Sequence, residues 1–168
     1  PLMNPFDEFE FSQSSLQDFV DCRRRFQLRY LMRVAWPAVQ AEPARENELN
    51  IQRGERFHRL VQQYLLGIPK ERLGRMASAD PDGHLHTWWE NFLEVIPDTL
   101  NGARHVEVAL SAPLAGHRLI AKYDLVLVQP GGQATIYDWK TSAPHPRRPH
   151  RPKRGWLSER LQTRIYPY

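Results

Sequence analysis

A chain of 168 residues with 41% hydrophobic and 25% charged residues carries enough apolar material for a packed domain core, which excludes a disordered or fibrous chain. No stretch approaches the roughly 20 apolar residues of a membrane span and no secretory leader is recognisable, so no membrane partner is expected; the single cysteine, Cys22, excludes an internal disulfide and fits a reducing, cytoplasmic setting. The formal net charge of +4 permits a nucleic-acid partner without requiring one.

Residues 1–11 are acidic and aromatic without a clear period and read as an arm. A helix start falls at Ser12–Ser15, where Ser14 with Gln17, or Ser15 with Asp18, makes a capping box. Leu16, Phe19, Val20, Phe26, Tyr30 and Leu31 then form one apolar stripe at helical spacing to about Val34. Arg23, Arg24, Arg25 and Arg29 cover much of the remaining surface, a basic face that suits both packing and phosphate contact. Trp36-Pro37 stops this helix, and residues 38–50 read as a polar loop. A second helix is predicted from about Ile51 to Leu66, its stripe made by Phe57, Leu60, Val61, Tyr64 and Leu65. His58 lies at the edge of that stripe, and a lone histidine there reads as an interior residue. A short helix is predicted at Lys70–Met76 and a third longer one at Leu85–Val95. His84 and His86 have no partners to complete a zinc set and read as surface residues.

The period then changes from helical to alternating. Arg104–Leu110 turns Val106, Val108 and Leu110 to one face and His105, Glu107 and Ala109 to the other. Ser111–Gly116 reads as a turn, and His117–Val128 as a long strand that places Lys122, Asp124 and Val126 on one face. Gln129–Gln133 is a hairpin turn by its Pro-Gly-Gly, and Gln133–Ser142 completes an antiparallel meander. That last strand turns Ile136, Asp138 and Lys140 to one side and Thr135, Tyr137 and Trp139 to the other. Arg147, Arg148, Arg151, Lys153 and Arg154 crowd into a Pro-rich loop over residues 141–156. By charge alone it is a solvated loop; its place after the acidic strand raises the phosphate-binding reading. Leu157–Tyr166 has helical character with Ser158 as a cap.

Three acids thus fall on neighbouring strands, Glu107, Asp124 and Asp138, with Lys140 beside the last. Asp124 is followed by Leu125, Val126, Leu127 and Val128, and a carboxylate within an apolar strand must be paired or metal-bound. A salt bridge from Lys140 to Asp124 or Asp138 is the plain structural alternative, though buried pairs contribute little net stability. Oxygen ligands of this kind suit Mg2+ or Mn2+ rather than zinc. A metal so held lowers the pKa of a bound water and stabilises charge building on a phosphorus, while the lysine orients or deprotonates that water.

Five segments in order resemble the PD-(D/E)XK nuclease superfamily in its RecB-like branch. FSQSSLQDFVDCRRRFQLRYL (Phe11–Leu31) is similar to the opening helix, and RGERFHRLVQQYL (Arg53–Leu65) to the helix bearing the branch's histidine, which falls on His58. AKYDLVLV (Ala121–Val128) corresponds to the first acidic motif and IYDWKTS (Ile136–Ser142) to the second. LQTRIYPY (Leu161–Tyr168) matches the Gln-x-x-x-Tyr signature through Gln162 and Tyr166. The resemblance implies an α/β (α+β) fold, a restriction-endonuclease-like mixed sheet flanked by helices, in one domain. It makes His58, Asp124 and Asp138 metal ligands, Lys140 the catalytic lysine and Glu107 a lesser ligand candidate, and it overrides the interior reading of His58. Gln162 and Tyr166 would contact DNA or support the site, and the Arg147–Arg154 loop would hold phosphates. The first acidic motif often follows a glycine, and here Ala121-Lys122-Tyr123 precedes Asp124. The family also continues its last helix and adds a strand where this chain stops at Tyr168, so a truncated piece, or a sheet closed another way, is expected. Some relatives bind an iron–sulfur cluster through four cysteines; Cys22 matches the first by position, and one cysteine cannot build the cluster.

The implied function is a Mg2+- or Mn2+-dependent DNA nuclease, an exonuclease on ends or single strands, acting in repair, recombination or related DNA processing. A helicase or another repair or CRISPR subunit is the partner the branch suggests. The alternatives are a DNA-binding module that keeps the fold without cutting, and a basic structural domain with a salt-bridged strand pair.

Overall fold

Alternating burial along one long strand, His117–Val128 (β3), organises the sheet: Leu119, Ala121, Tyr123, Leu125 and Leu127 are buried on one face. A computed structural model describes residues 9–34, 42–81, 83–97 and 99–141. The basic loop with Arg147, Arg148, Arg151, Lys153 and Arg154, and the helix expected around Gln162 and Tyr166, lie outside the described residues. The fold is a mixed four-stranded sheet with helices, the class expected. β1 (Glu10–Ser12), β2 (Ala103–Leu114) and β4 (Ala134–Tyr137) all pair with β3. β1 runs parallel to it, with Phe11 opposite Leu119; β4 runs antiparallel, with Tyr137 opposite Leu125. The described residues form two compact units, one of residues 9–34 and 109–122, the other of 42–108 and 123–141.

In the first unit, Ser12 caps α1 (Gln13–Asp21) in a reciprocal box: its hydroxyl accepts from the Ser15 N–H at 3.1 Å, and its own N–H donates to Ser15 Oγ at 2.9 Å. The box therefore lies two or three residues earlier than expected. The predicted single helix to Val34 is also broken. Cys22 is extended (φ −161°, ψ 103°), and α2 (Arg23–Phe26) restarts there before a wide π-turn at Gln27–Leu31. The break lets Asp18 collect Arg25 at 2.9 Å, Arg29 at 3.1 Å and the Tyr30 hydroxyl at 3.2 Å. Of the expected stripe Phe26 is buried, whereas Val20 faces solvent. Nor is all of residues 1–11 an arm, since Glu10 and Phe11 belong to β1.

The second unit holds the main core. α3 (Glu42–Leu65), α4 (Lys70–Ser78) and α5 (His84–Val95) pack Phe57, Leu60, Val61, Leu73, Trp89 and Phe92 together with Leu125 and Leu127 of β3. α3 begins nine residues before the predicted Ile51, so residues 42–50 are helix rather than loop. Their polarity hides them from a periodicity reading, and Pro43 sits in the first turn, where its missing N–H has no intrahelical partner to lose. His84 stacks on Trp88 and His86 Nδ1 lies 3.2 Å from Ser78 Oγ, both histidines in α5.

β2 runs four residues beyond the predicted Leu110, and the turn shrinks to Ala115-Gly116, with φ of 48° and 82°. Positive φ at both central residues is the hairpin geometry that follows strand twist. Pro113 reads as a turn residue, yet a strand edge has no need of its N–H. Gly102, at φ 136°, lies so close to the Val128 carbonyl that a Cβ would stand 2.3 Å from its oxygen. The Pro-Gly-Gly hairpin between β3 and β4 forms as expected, closed by the Gln129 N–H donating to Gln133 O at 2.8 Å.

Candidate metal centre

β4 is shorter than its sequence suggests. It ends at Tyr137, so Asp138, Trp139, Lys140 and Thr141 follow the strand instead of lying within it. The register that sets Tyr137 against Leu125 would bring Trp139 opposite Tyr123. The Trp139 N–H instead donates to the Asp124 carboxylate, Oδ2, at 2.8 Å. A side chain thus takes the bond that a backbone carbonyl would have taken, and the ladder stops. The Trp139 ring still points to the core, stacked on Tyr137 and edge-on to Phe92 at 5.5 Å.

Three elements converge on Asp124. α3 supplies His58, whose Nδ1 lies 3.2 Å from Asp124 Oδ1. Phe57, next in sequence, is buried in the core and fixes the helix rotation that leaves His58 beside the strand. β2 supplies Glu107. The ligand atoms of His58, Glu107 and Asp124 all lie within 4.8 Å of one another. Glu107 itself has φ +52°, a backbone conformation in which a non-glycine residue is strained. This kink breaks the alternation expected for β2, so that Val106, Glu107 and Val108 are all half-buried.

The charges are interlocked. The hydrogen bond to Asp124 raises the pKa of His58; burial opposes this, and the Asp124 and Glu107 charges reinforce it. Burial raises that of Asp124, but the bonds from His58 and the Trp139 N–H, with the nearby positive charges, outweigh it and hold the carboxyl below its ordinary range. Asp138 is engaged by Lys140, whose Nζ stands 2.9 Å from Oδ2 and 3.2 Å from Oδ1. A protonatable imidazole and an ammonium thus face the acids.

The donor set fits a divalent cation. With metal–oxygen bonds of about 2.1 Å, octahedral ligands lie about 3 Å apart along an edge and about 4 Å apart across the ion. The 3.2 Å separation of His58 and Asp124 and the 4.8 Å envelope of the three match that scale. Two carboxylates favour a hard ion, and the imidazole leans toward Mn2+ over Mg2+. Of the residues singled out from sequence, His58, Glu107 and Asp124 come together as this set, while Asp138 faces Lys140 two residues along. Gln162, Tyr166 and the basic loop lie beyond the description. Gly54, Trp139 and Thr141 carry no sequence pattern that marks them as part of the site. The nearest to one is a glycine inside a helix, one turn from a candidate ligand, at Gly54.

The family model of the PD-(D/E)XK nuclease superfamily matches residues 10–168. No curated protein and no solved structure matches the chain.

Proposed function

The chain belongs to the PD-(D/E)XK nuclease superfamily, a group of divalent-metal-dependent nucleases, and from that premise we propose that it is a Mn2+- or Mg2+-dependent DNA nuclease of the RecB-like branch, cutting phosphodiester bonds at ends or in single strands. The observation that carries this is the meeting of His58, Glu107 and Asp124 within 4.8 Å, beside the segment that bears Asp138 and Lys140.

His58, Asp124 and Glu107 would hold the cation, with Asp138 the further carboxylate at hand. Once bound, it supplies an acidified water and a positive charge for the phosphate. The chain's own residues do the rest. Binding requires His58 to give up any proton on its ligating nitrogen, so affinity falls as pH falls. Asp124 presents an ionised carboxylate because the Trp139 N–H and His58 hold it so. Lys140, whose ammonium reaches Asp138 at 2.9 Å, would orient the attacking water and stabilise charge on the phosphoryl oxygens. The exposed guanidinium groups of α2, Arg23 and Arg24, and the Arg147–Arg154 loop would hold backbone phosphates, giving salt-sensitive binding. A cytoplasmic setting, and a helicase or other repair or CRISPR subunit as partner, belong to this reading. No helix among the described residues is long and apolar enough to cross a membrane.

The test uses end-labelled single- and double-stranded DNA, and RNA, with Mn2+, Mg2+ or EDTA, alongside Lys140→Ala. Metal-dependent cutting of DNA that the substitution reduces by about 100-fold or more is expected, the scale on which removal of one charge-stabilising group acts. Binding without cutting in any metal would instead identify a DNA-binding module, and cutting that survives Lys140→Ala would sink the assigned role of the lysine.

A further inference from the structure

We infer that Gly54 is a positioning residue for Lys140, acting by letting Thr141 close against α3; for its kinetic arm this rests on the nuclease reading above. Lys140 lies past the end of β4, so no strand ladder fixes it. Its two sequence neighbours are both held. On one side the Trp139 N–H bonds Asp124 at 2.8 Å and the Trp139 ring packs against Phe92 and Tyr137. On the other side Thr141 reaches α3 at Gly54. A Cβ built on Gly54 would stand 2.9 Å from Thr141 Oγ1, closer than two such atoms approach in folded proteins.

The place of that contact gives it its meaning. Gly54 is buried and lies four residues before His58, so the two share a face of α3. One face of one helix therefore presents a metal-ligand candidate and, one turn below it, the bare backbone on which the Lys140 segment rests. A glycine inside a helix is itself unfavourable relative to alanine. Its presence in the middle of α3 is not explained by helix formation, but it is explained by the gap that Thr141 fills. Adding one methyl group should push Thr141 away from α3 and carry Lys140 with it, while His58 keeps its place on the helix.

The experiment compares the wild type with Gly54→Ala, Thr141→Ala and the double variant. Three readouts are taken: hydrogen exchange of the peptide covering residues 136–141 in EDTA, thermal midpoint, and cleavage rate at saturating Mn2+ and DNA. Gly54→Ala is expected to leave the midpoint unchanged or raise it, since alanine favours the helix. It should speed exchange in residues 136–141 and lower kcat by tenfold or more with a smaller change in KM. The double variant should return both exchange and kcat to the level of Thr141→Ala alone. Wild-type exchange in Gly54→Ala would overturn the inference, and so would a loss that Thr141→Ala does not relieve. A fall in midpoint that accounts for the loss would assign Gly54 to packing and overturn it equally. If the wild type cuts no nucleic acid in any metal, the nuclease reading fails, and the exchange measurement still decides the positioning role.

Discussion

Replacing Glu107 by glycine should leave the metal-free protein more stable than replacing it by alanine, the reverse of the usual order in a strand. Glu107 sits at φ +52°, where a residue with a Cβ is strained by roughly 1–2 kcal/mol relative to an ordinary conformation. Glycine carries no such strain but ordinarily costs about 0.5–1 kcal/mol against alanine in a strand interior. The difference predicts glycine ahead by up to about 1.5 kcal/mol, with roughly 0.75 kcal/mol as the centre, or about 2 °C in midpoint for a chain of this size. Both variants lack the carboxylate, so the comparison isolates the backbone from whatever contacts the side chain makes. Urea denaturation in EDTA measures it. A glycine variant less stable than the alanine variant would show that the kink in β2 is relaxed. The same pair carries a second readout. At a Mn2+ concentration one hundred times the dissociation constant, an intact site adds about 2.7 kcal/mol to the wild type. Both variants should lose most of that gain, and a full Mn2+-induced shift in either would remove Glu107 from the ligand set.

The His58–Asp124 pair makes stability depend on pH in EDTA. The folded pKa of His58 is raised above the usual 6.5, so its contribution is fully present below that value and is lost as pH rises through the raised one. That of Asp124 is held below 3.8, so its contribution is present above this value and is lost as pH falls through the lowered one. The stability difference between wild type and His58→Ala should therefore be widest between about pH 5 and 6 and narrow toward pH 9; a difference independent of pH would mean the pair carries no proton linkage. Trp139→Ala is expected to destabilise by roughly 3 kcal/mol, the low end for a large aromatic because the ring is only half-buried. It should also abolish cutting, and a stable, fully active variant would show that the ring does not anchor the segment.

What could be read from the sequence followed from burial on one face. β3 and α5 were legible because Leu119, Ala121, Tyr123, Leu125 and Leu127, and Leu85, Trp89 and Phe92, repeat at the spacing of their elements. The first turns of α3 were not, because residues 42–50 carry no apolar stripe. Neither was β1, whose three residues offer no period. The end of β4 was hidden for another reason: whether the Trp139 N–H bonds a carbonyl of β3 or the carboxylate of Asp124 is decided by tertiary geometry, and no pattern of side chains encodes it. The kink at Glu107 is likewise invisible to alternation, which assumes every residue extended. At the candidate site, Asp124 stood out as an acid in an apolar strand, whereas the apolar stripe around His58 marked it as interior and only its place in a family-like motif pointed elsewhere.

A purely structural account of this cluster meets a difficulty at Glu107. Asp124 already has partners for both oxygens within the protein, the Trp139 N–H on Oδ2 and His58 on Oδ1. A strand-stabilising ion pair would be complete there. Yet β2 bends into a positive φ and brings a second carboxylate to within 4.8 Å of the same two side chains. Two negative charges within that distance repel by roughly 3 kcal/mol at an effective dielectric of 20 before the partners of either are counted. Backbone strain and like-charge repulsion add up in the same place, and neither improves packing. A divalent cation would be attracted to both carboxylates at once, with neutral His58 as a nitrogen ligand. Strain that persists where it also concentrates like charge is the pattern of a site built to hold something. That makes Glu107, the least prominent of the acids in the sequence, the residue whose geometry argues most directly for a metal.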